Sequence, residues 1–423
     1  MTTPSFARWT AVAVCVAAAS ASAALAQQAP RAALPEGPGR ELVEGNCTAC
    51  HQINQIQQSS GYSHAGWSEL IQTMLPIGGT PELEQISTYL AMHFPPNTRR
   101  QPKLMPGDHA VSFEQWVSPT LGQRTRDPVE TPDGAIWFAG QWSDSVGRID
   151  PKTGEIKEYA LPTDAKPHTV ATDRAGNVWY TGNGNGTVGK LDPATGAITV
   201  YKMPDPAARD PHSMIIDSKG TVFFTLQQSN MIGRLIPATG EIKLVKPQTP
   251  RSRPYGIKLD ANETPWVASN GSNRIIRVDP ATMELREYPL PDPETTVRRL
   301  SIAEDGMIWY VNSSRGRLGR LDPKTGDVKE WDSPSGQRSH PYAIAVLDGA
   351  IWYNESGQRP DALVRFDPKT ESFQSWAIPS GDIHAGIIRH MRTTRDGKLL
   401  IHQSSTARVL RVTPSRIAEP PTQ

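Results

Sequence analysis

From Gly134 onward the chain repeats a phrase. Gly134-Ala135-Ile136-Trp137-Phe138 is followed by Gly147-Arg148-Ile149-Asp150-Pro151, and Gly176-Asn177-Val178-Trp179-Tyr180 by Leu191-Asp192-Pro193. The phrase returns as Gly306-Met307-Ile308-Trp309-Tyr310 with Gly319-Arg320-Leu321-Asp322-Pro323, and as Gly349-Ala350-Ile351-Trp352-Tyr353 with Phe366-Asp367-Pro368. Its aromatic anchors Trp137, Trp179, Phe223, Trp266, Trp309 and Trp352 stand about 43 residues apart. A period of that length, built from short strands and turn signals, predicts four strands per unit and a β-propeller. The anchor is expected to pack between neighbouring blades, and Asp-Pro-x-Thr-Gly to turn between the outer strands. The 38 prolines and 34 glycines are spread along the chain, which fits repeats rather than disorder.

Six units are complete. A seventh, Ile383 to Val412, is degenerate, with Leu399-Leu400 in place of the aromatic pair, and it lacks an outer strand. Val111-Ser112-Phe113-Glu114-Gln115-Trp116 precedes the first unit and matches the missing strand. The expectation is a seven-bladed ring over 111–414, closed by its N-terminal strand so that no sheet edge is left free, with a tail at 415–423. At 423 residues the chain exceeds one ordinary domain, so a second is expected.

That second domain is announced by Cys47-Thr48-Ala49-Cys50-His51. Cys-x-x-Cys-His is the attachment signature of c-type haem. Two thiols three residues apart can each form a thioether to a porphyrin vinyl, and the next imidazole becomes the proximal iron ligand. A zinc site would need four ligands, yet no cysteine follows Cys50. A redox Cys-x-x-Cys would sit in a βαβ context, which is not evident here. Upstream, Arg8 precedes an apolar, alanine-rich stretch from Ala11 that ends on Ala24-Leu25-Ala26. Residues 1–26 therefore read as a secretory signal. Its removal would take Cys15 with it and leave only the two haem thiols. No other stretch is apolar enough to span a bilayer, so the expected address is the periplasm. The net charge of +1 argues against a nucleic-acid partner.

Between Gly39 and Phe94 the pattern is helical. Glu41-Leu42-Val43 leads into the haem motif. Trp67, Leu70, Ile71 and Met74 recur at three- and four-residue steps. After Gly78-Gly79, Thr80-Pro81-Glu82 caps a new helix carrying Leu83, Ile86, Tyr89 and Leu90. With one haem expected, residues 27–94 resemble a minimal class I cytochrome c, on the strength of Trp67, Met74 and Gly78 at the spacing of small modules of that family. The resemblance implies that Met74 is the sixth iron ligand beside His51. Met92 is an alternative, as is bis-histidine ligation through His64 or His93. Pro95-Pro96-Asn97-Thr98-Arg99-Arg100-Gln101-Pro102 is proline-rich, polar and aperiodic, and 95–110 reads as a linker. The predicted class is thus a multidomain chain, a small all-α cytochrome c domain followed by an all-β seven-bladed propeller.

Ring-forming repeats aim equivalent positions at one axis. Just before the inner strand, successive units carry His168, His212, Tyr255, Tyr342 and His384, with Arg298-Arg299 in the fifth, and Pro167, Pro211, Pro254 and Pro341 recur ahead of them. The plain alternative is that these rings only bond neighbouring carbonyls and space the blades. As a set they suit a ligand site, with Glu355 as the carboxylate that directly follows an aromatic pair. Such a funnel should take a small anionic or oxygen-rich molecule.

The repeat, from roughly Pro128 to Pro414, resembles the virginiamycin B lyase family of seven-bladed propellers. The likeness rests on the Pro-His-x-apolar start, the tryptophan-aromatic pair and the Gly-Arg-apolar-Asp turn. It implies metal-assisted elimination at an ester, in which Asp382-Ile383-His384 supplies acid and base and magnesium is the cofactor. The position of a second metal-binding glutamate falls on Gln403, and that of a histidine one blade earlier on Tyr342. The catalytic candidates are His384, Glu355 and Tyr342; the substrate-binding candidates are His168, His212, Tyr255, Arg298 and Asp382. Three functions follow: a periplasmic electron-transfer protein with its own electron donor or acceptor, a magnesium-dependent carbon–oxygen lyase, and a non-catalytic docking scaffold. A magnesium lyase has no use for a haem, which favours the electron-transfer and scaffold readings, with electron transfer first.

Overall fold

The computed structural model describes residues 33–48, 53–57, 61–96, 100–379 and 388–417. The predicted signal segment lies outside them. Among the described residues four helices come first: α1 (Arg40–Cys47), α2 (Ile53–Gln57), α3 (His64–Gln72) and α4 (Pro81–His93). Local chemistry sets their starts. Ser63 accepts the Gly66 N–H at the head of α3, and Thr80 accepts the Leu83 N–H at the head of α4, where Pro81 takes the first turn. Val43, Leu70, Ile71, Leu83, Ile86, Tyr89 and Leu90 form one buried core, against which Cys47 and Met74 pack. No described helix is long and apolar enough to cross a membrane.

Twenty-eight strands follow as seven four-stranded sheets, each antiparallel. Six sheets are sequential meanders. The seventh pairs β1 (His109–Val117) with β28 (Arg408–Arg416), β27 (Leu399–Gln403) and β26 (Met391–Thr393). The closing register runs from His109 opposite Arg416 to Val117 opposite Arg408. The strand expected from Val111 to Trp116 thus completes the last blade, and the ring has no loose outer edge there.

The repeat phrase now has a physical account. Phe138 and Tyr180 lie across the glycine of the next strand: a Cβ on Gly147 or Gly189 would come within 2.1 or 2.0 Å of the ring. Only glycine fits, hence the aromatic-to-glycine spacing. Trp137 packs with Val170, Val178 and Tyr180 of the following blade, and Trp179 with Met214 and Phe224, so the anchors are inter-blade residues. The Asp-Pro turns close with Gly154 N donating to Asp150 O at 2.8 Å and Lys152 N to Asp150 Oδ1 at 2.8 Å.

The segment read as a linker departs from expectation. Lys103 N donates to Ser335 Oγ at 2.9 Å, Met105 N to Ser375 Oγ at 2.8 Å, and Ser375 N to Met105 O at 3.0 Å. Residues 100–108 therefore form a strap across the sixth blade, held there by the N–H groups of Lys103 and Met105. The helices also touch the propeller directly. Gly122 N donates to Thr73 O at 2.6 Å, and Arg408 pairs with Glu69 at 2.6 Å.

Candidate funnel and helix-side cavity

The innermost strands of the first six blades share an irregularity. Their register slips between Arg126 and Val129, Pro167 and Val170, Pro211 and Met214, Pro254 and Ile257, Val297 and Leu300, and Pro341 and Ile344. A bulge re-aims the side chains it carries. The first residue in each bulge is Asp127, His168, His212, Tyr255, Arg298 or Tyr342, so the repeated bulge is what turns this set toward the axis.

The rings run in sequence around the funnel. His168 and His212 are 3.6 Å apart between centroids, and His212 and Tyr255 4.2 Å. The Tyr255 and Tyr342 hydroxyls share a short hydrogen bond. The Arg298 guanidinium lies 5.0 Å from the Tyr342 ring centroid, Arg299 5.1 Å from that of Tyr255, and Arg389 6.0 Å from that of Tyr342. The predicted substrate-binding residues His168, His212, Tyr255 and Arg298 line a common cavity of about 250 Å³, together with Arg126 and Arg389.

Charge in the funnel is one-sided. Burial, then His212 and the nearby arginines, hold His168 well below the usual imidazole range, and burial and then the arginines, Arg299 first, do the same to His212. Burial and then the surrounding guanidinium groups do the same to His402, and Arg299, Arg392 and Lys258 add to burial at His390. Burial raises the Tyr342 phenol, but Arg389, Arg298 and the bond from Tyr255 outweigh it and leave it lowered. Tyr255 is pushed up to about 12, chiefly by burial and then by Tyr342. Below lies a second cavity of about 170 Å³, lined by Lys258, Arg299, His390 and Arg392. Burial, then Arg392 and Arg299, bring Lys258 down to about 7.

Asp127 stands between the two chambers. It is fully buried, accepts from Thr169 Oγ1 at 2.7 Å and from Arg299 Nη2 at 3.3 Å, and its N–H donates to His402 Nδ1 at 3.0 Å. Arg299 also donates to Ser213 Oγ at 2.9 Å and to Arg389 O at 3.1 Å. The sequence reading missed Asp127, Arg126 and Arg389. The signal for Asp127 was its place in the first unit at the position held by His168 in the second, masked there by Asp-Pro in place of Pro-His.

Glu355 ends the second strand of the sixth blade. Its strand position is level with Pro341 at the funnel end of the sheet, but its carboxylate accepts from Ser335 N at 2.9 Å and from Ser335 Oγ. It holds the loop before the inner strand and does not line either of the two chambers described above. Burial raises its pKa, against the lowering effect of the Ser335 bonds. Asp382 and His384 lie outside the described residues, as do Cys50 and His51. Gln403 is buried and donates to Pro379 O at 3.0 Å. Among the described residues no group of three or more histidine, cysteine or acidic side chains could hold a metal ion.

A third cavity, of about 320 Å³, lies between helices and propeller. Cys47, Trp67, Leu70, Met74 and Leu90 line one side, and Arg124, Trp142, Arg389 and Ala407 the other. The Cys47 thiol is pushed up to about 11 by burial.

Two overlapping stretches, residues 114–278 and 249–418, match the profile of the virginiamycin B lyase family. The chain belongs to that family. A streptogramin B lyase structure superposes with a TM-score of 0.65 at 25% identity, covering 72% of this chain and 98% of that one. A selenomethionine-substituted virginiamycin B lyase from Staphylococcus aureus matches at 0.64 and 21%, covering 72% and 99%. A catalytically inactive histidine-to-alanine form of the Staphylococcus aureus enzyme with quinupristin gives 0.64 and 22% over the same shares. No curated protein matches the chain. Helices α1 to α4 precede the stretch that carries the family profile, so this virginiamycin B lyase-type propeller wears an addition on one face.

Proposed function

We propose that this chain is an exported, single-haem c-type cytochrome whose virginiamycin B lyase-type propeller offers a ligand funnel beneath the haem. The observation that carries the reading is the helix-side cavity. Cys47 of the attachment motif and Met74 both line it, its remaining walls are largely apolar, and Cys50 and His51 follow within a few residues of α1. A covalent haem suits this lining: Cys47 and Cys50 would bind it, His51 and Met74 would ligate the iron, and Ile56, Tyr62, Trp67, Leu70 and Leu90 would exclude water. The group supplies one-electron transfer when bound. The chain's own contribution is an apolar seat and a funnel one arginine away. In the funnel, His168 and His212 stay neutral and offer ring nitrogens as hydrogen-bond partners, while Tyr255 and Tyr342 orient a ligand through their shared hydrogen bond.

The second reading, a magnesium-dependent lyase, is favoured by the family itself. Against it stand Gln403 and Tyr342 where the resemblance puts ligands, and a funnel whose arginines repel a divalent cation. The deciding experiment is a pyridine haemochrome assay on protein exported through a haem-attaching pathway, alongside turnover of a streptogramin B ester. One haem per chain, lost in Cys47→Ala/Cys50→Ala, supports the cytochrome. Absence of haem together with chelator-sensitive ring opening would establish the lyase instead.

A further inference from the structure

Four arginines gather where the helix-side cavity meets the funnel. Arg124 and Arg389 line the first, Arg126, Arg298 and Arg389 the second. Among the described residues, carboxylates are scarce around them. Asp127 pairs with Arg299 and also offsets part of the charge of Arg126, and Asp210, at the funnel rim, accepts from the Gln228 and Ser229 N–H groups. Arg126 is 4% exposed and donates through Nε to Gln141 at 3.0 Å, yet its Nη1 is buried without a partner among the described residues. The Nε atoms of Arg298 and Arg389 are likewise buried and unpartnered among the described residues. Burial and then the charges of Arg126 and Arg389 disfavour the charged form of Arg124. A guanidinium keeps its proton in proteins, so this cluster holds repulsion and unmet hydrogen-bond donors that a bound anion would relieve.

We propose that Arg124, Arg126, Arg298 and Arg389 form a carboxylate receptor whose ligand rests its apolar body in the helix-side cavity and sets its carboxylates on the arginines. The shape argues for an amphipathic acid over a small inorganic anion. One cavity is apolar on its helix side, with Trp67, Leu70 and Leu90; the other is polar; Arg389 is common to both. The planar fork of arginine matches a carboxylate by two parallel bonds, and the bonded Tyr255–Tyr342 pair keeps one O–H free to donate beside it. Two sources share this chemistry. One is the pair of propionates of a haem held by Cys47, which rests on the function proposed above; the other is a free organic acid.

The test is calorimetric titration of the full chain with succinate, with uncharged succinamide as control. It is run on the wild type, whose haem content is first read from its pyridine haemochrome spectrum, and on Cys47→Ala/Cys50→Ala. Succinate should bind at least one form and succinamide neither, and Arg389→Gln should weaken succinate binding tenfold or more, with Arg389→Lys recovering part of the loss. Binding confined to the haem-free form identifies the propionates as the resident carboxylates; equal binding to both identifies a free acid. A wild type without haem refutes the cytochrome reading while leaving the succinate result readable. Arg298→Gln serves as the second variant should Arg389→Gln fail to melt cooperatively. No succinate binding to either form, or binding indifferent to both substitutions, overturns the proposal.

Discussion

Replacing Asp127 by asparagine should destabilise the ring far more than a surface substitution, because it strips the counter-charge from a buried cation. Asp127 is fully buried and Arg299 5% exposed, with the charged atoms 3.3 Å apart. At an effective dielectric constant near 20, a pair at that separation attracts by about 5 kcal/mol. Breaking such a pair from one side typically costs about 3–5 kcal/mol, because the surviving charge stays buried. Here Arg299 would be left facing Lys258 and Arg392 across the lower chamber. Asparagine keeps the shape, can still accept from Thr169, and tolerates the left-handed backbone at position 127, where φ is 40°, so the change isolates the charge. With a urea dependence of about 3 kcal/mol per molar, the unfolding midpoint should fall by about 1–2 M. Adding Arg299→Gln should recover part of the loss, since no lone cation remains. A midpoint within experimental error of wild type, or a double variant that loses the sum of the two single changes, would refute the reasoning.

Three further outcomes are expected. His168, His212, His390 and His402 are held well below the ordinary imidazole range, and His340 is brought down to about 4 by burial and then Arg298. The unfolded chain therefore binds protons that the folded chain refuses, and stability should fall as pH drops below about 6.5. Each imidazole that stays neutral when folded costs about 2 kcal/mol at pH 5, read as a steep loss of melting temperature between pH 7.5 and 5; a flat profile would contradict the burial of the set. Met74→Ala should keep the covalent haem but lose the weak far-red absorption band of methionine-ligated ferric iron, and survival of that band would point to Met92. Truncation through residue 108 should leave a cooperatively melting ring, whereas truncation through Val117 removes the strand paired with β28 and should lower the melting temperature markedly; equal midpoints would show that β1 is dispensable.

Most of the funnel was legible because a repeat marks equivalent positions. His168, His212, Tyr255, Arg298 and Tyr342 were found by alignment alone, and the structure brings them to one axis. For Glu355 the repeat marked the strand position but not the side chain's partner. Its position follows an aromatic pair, but which way a side chain at a strand end turns depends on a loop partner, here Ser335, that no periodicity reveals. The strap at 100–108 escaped for a similar reason: its bonds go to Ser335 and Ser375, more than two hundred residues away.

By itself the sequence determined what depends on neighbours a few residues apart. Glycine must lie beneath an aromatic ring one strand away, Asp-Pro-x-Thr-Gly must turn, and a helix must begin at Ser63 or Thr80, so the period, the blade and the short helices are written locally. Two thiols ahead of a histidine are local in the same sense. Only the tertiary structure decided where the charge goes. Asp127 meets Arg299 across 172 residues of sequence, and Arg389 reaches both the funnel and the wall opposite Cys47 and Met74. The physical reason is closure: β1 joins the last blade to the first, six bulges turn their side chains inward, and groups far apart along the chain come to share one desolvated axis, where the energy of each depends on all the others.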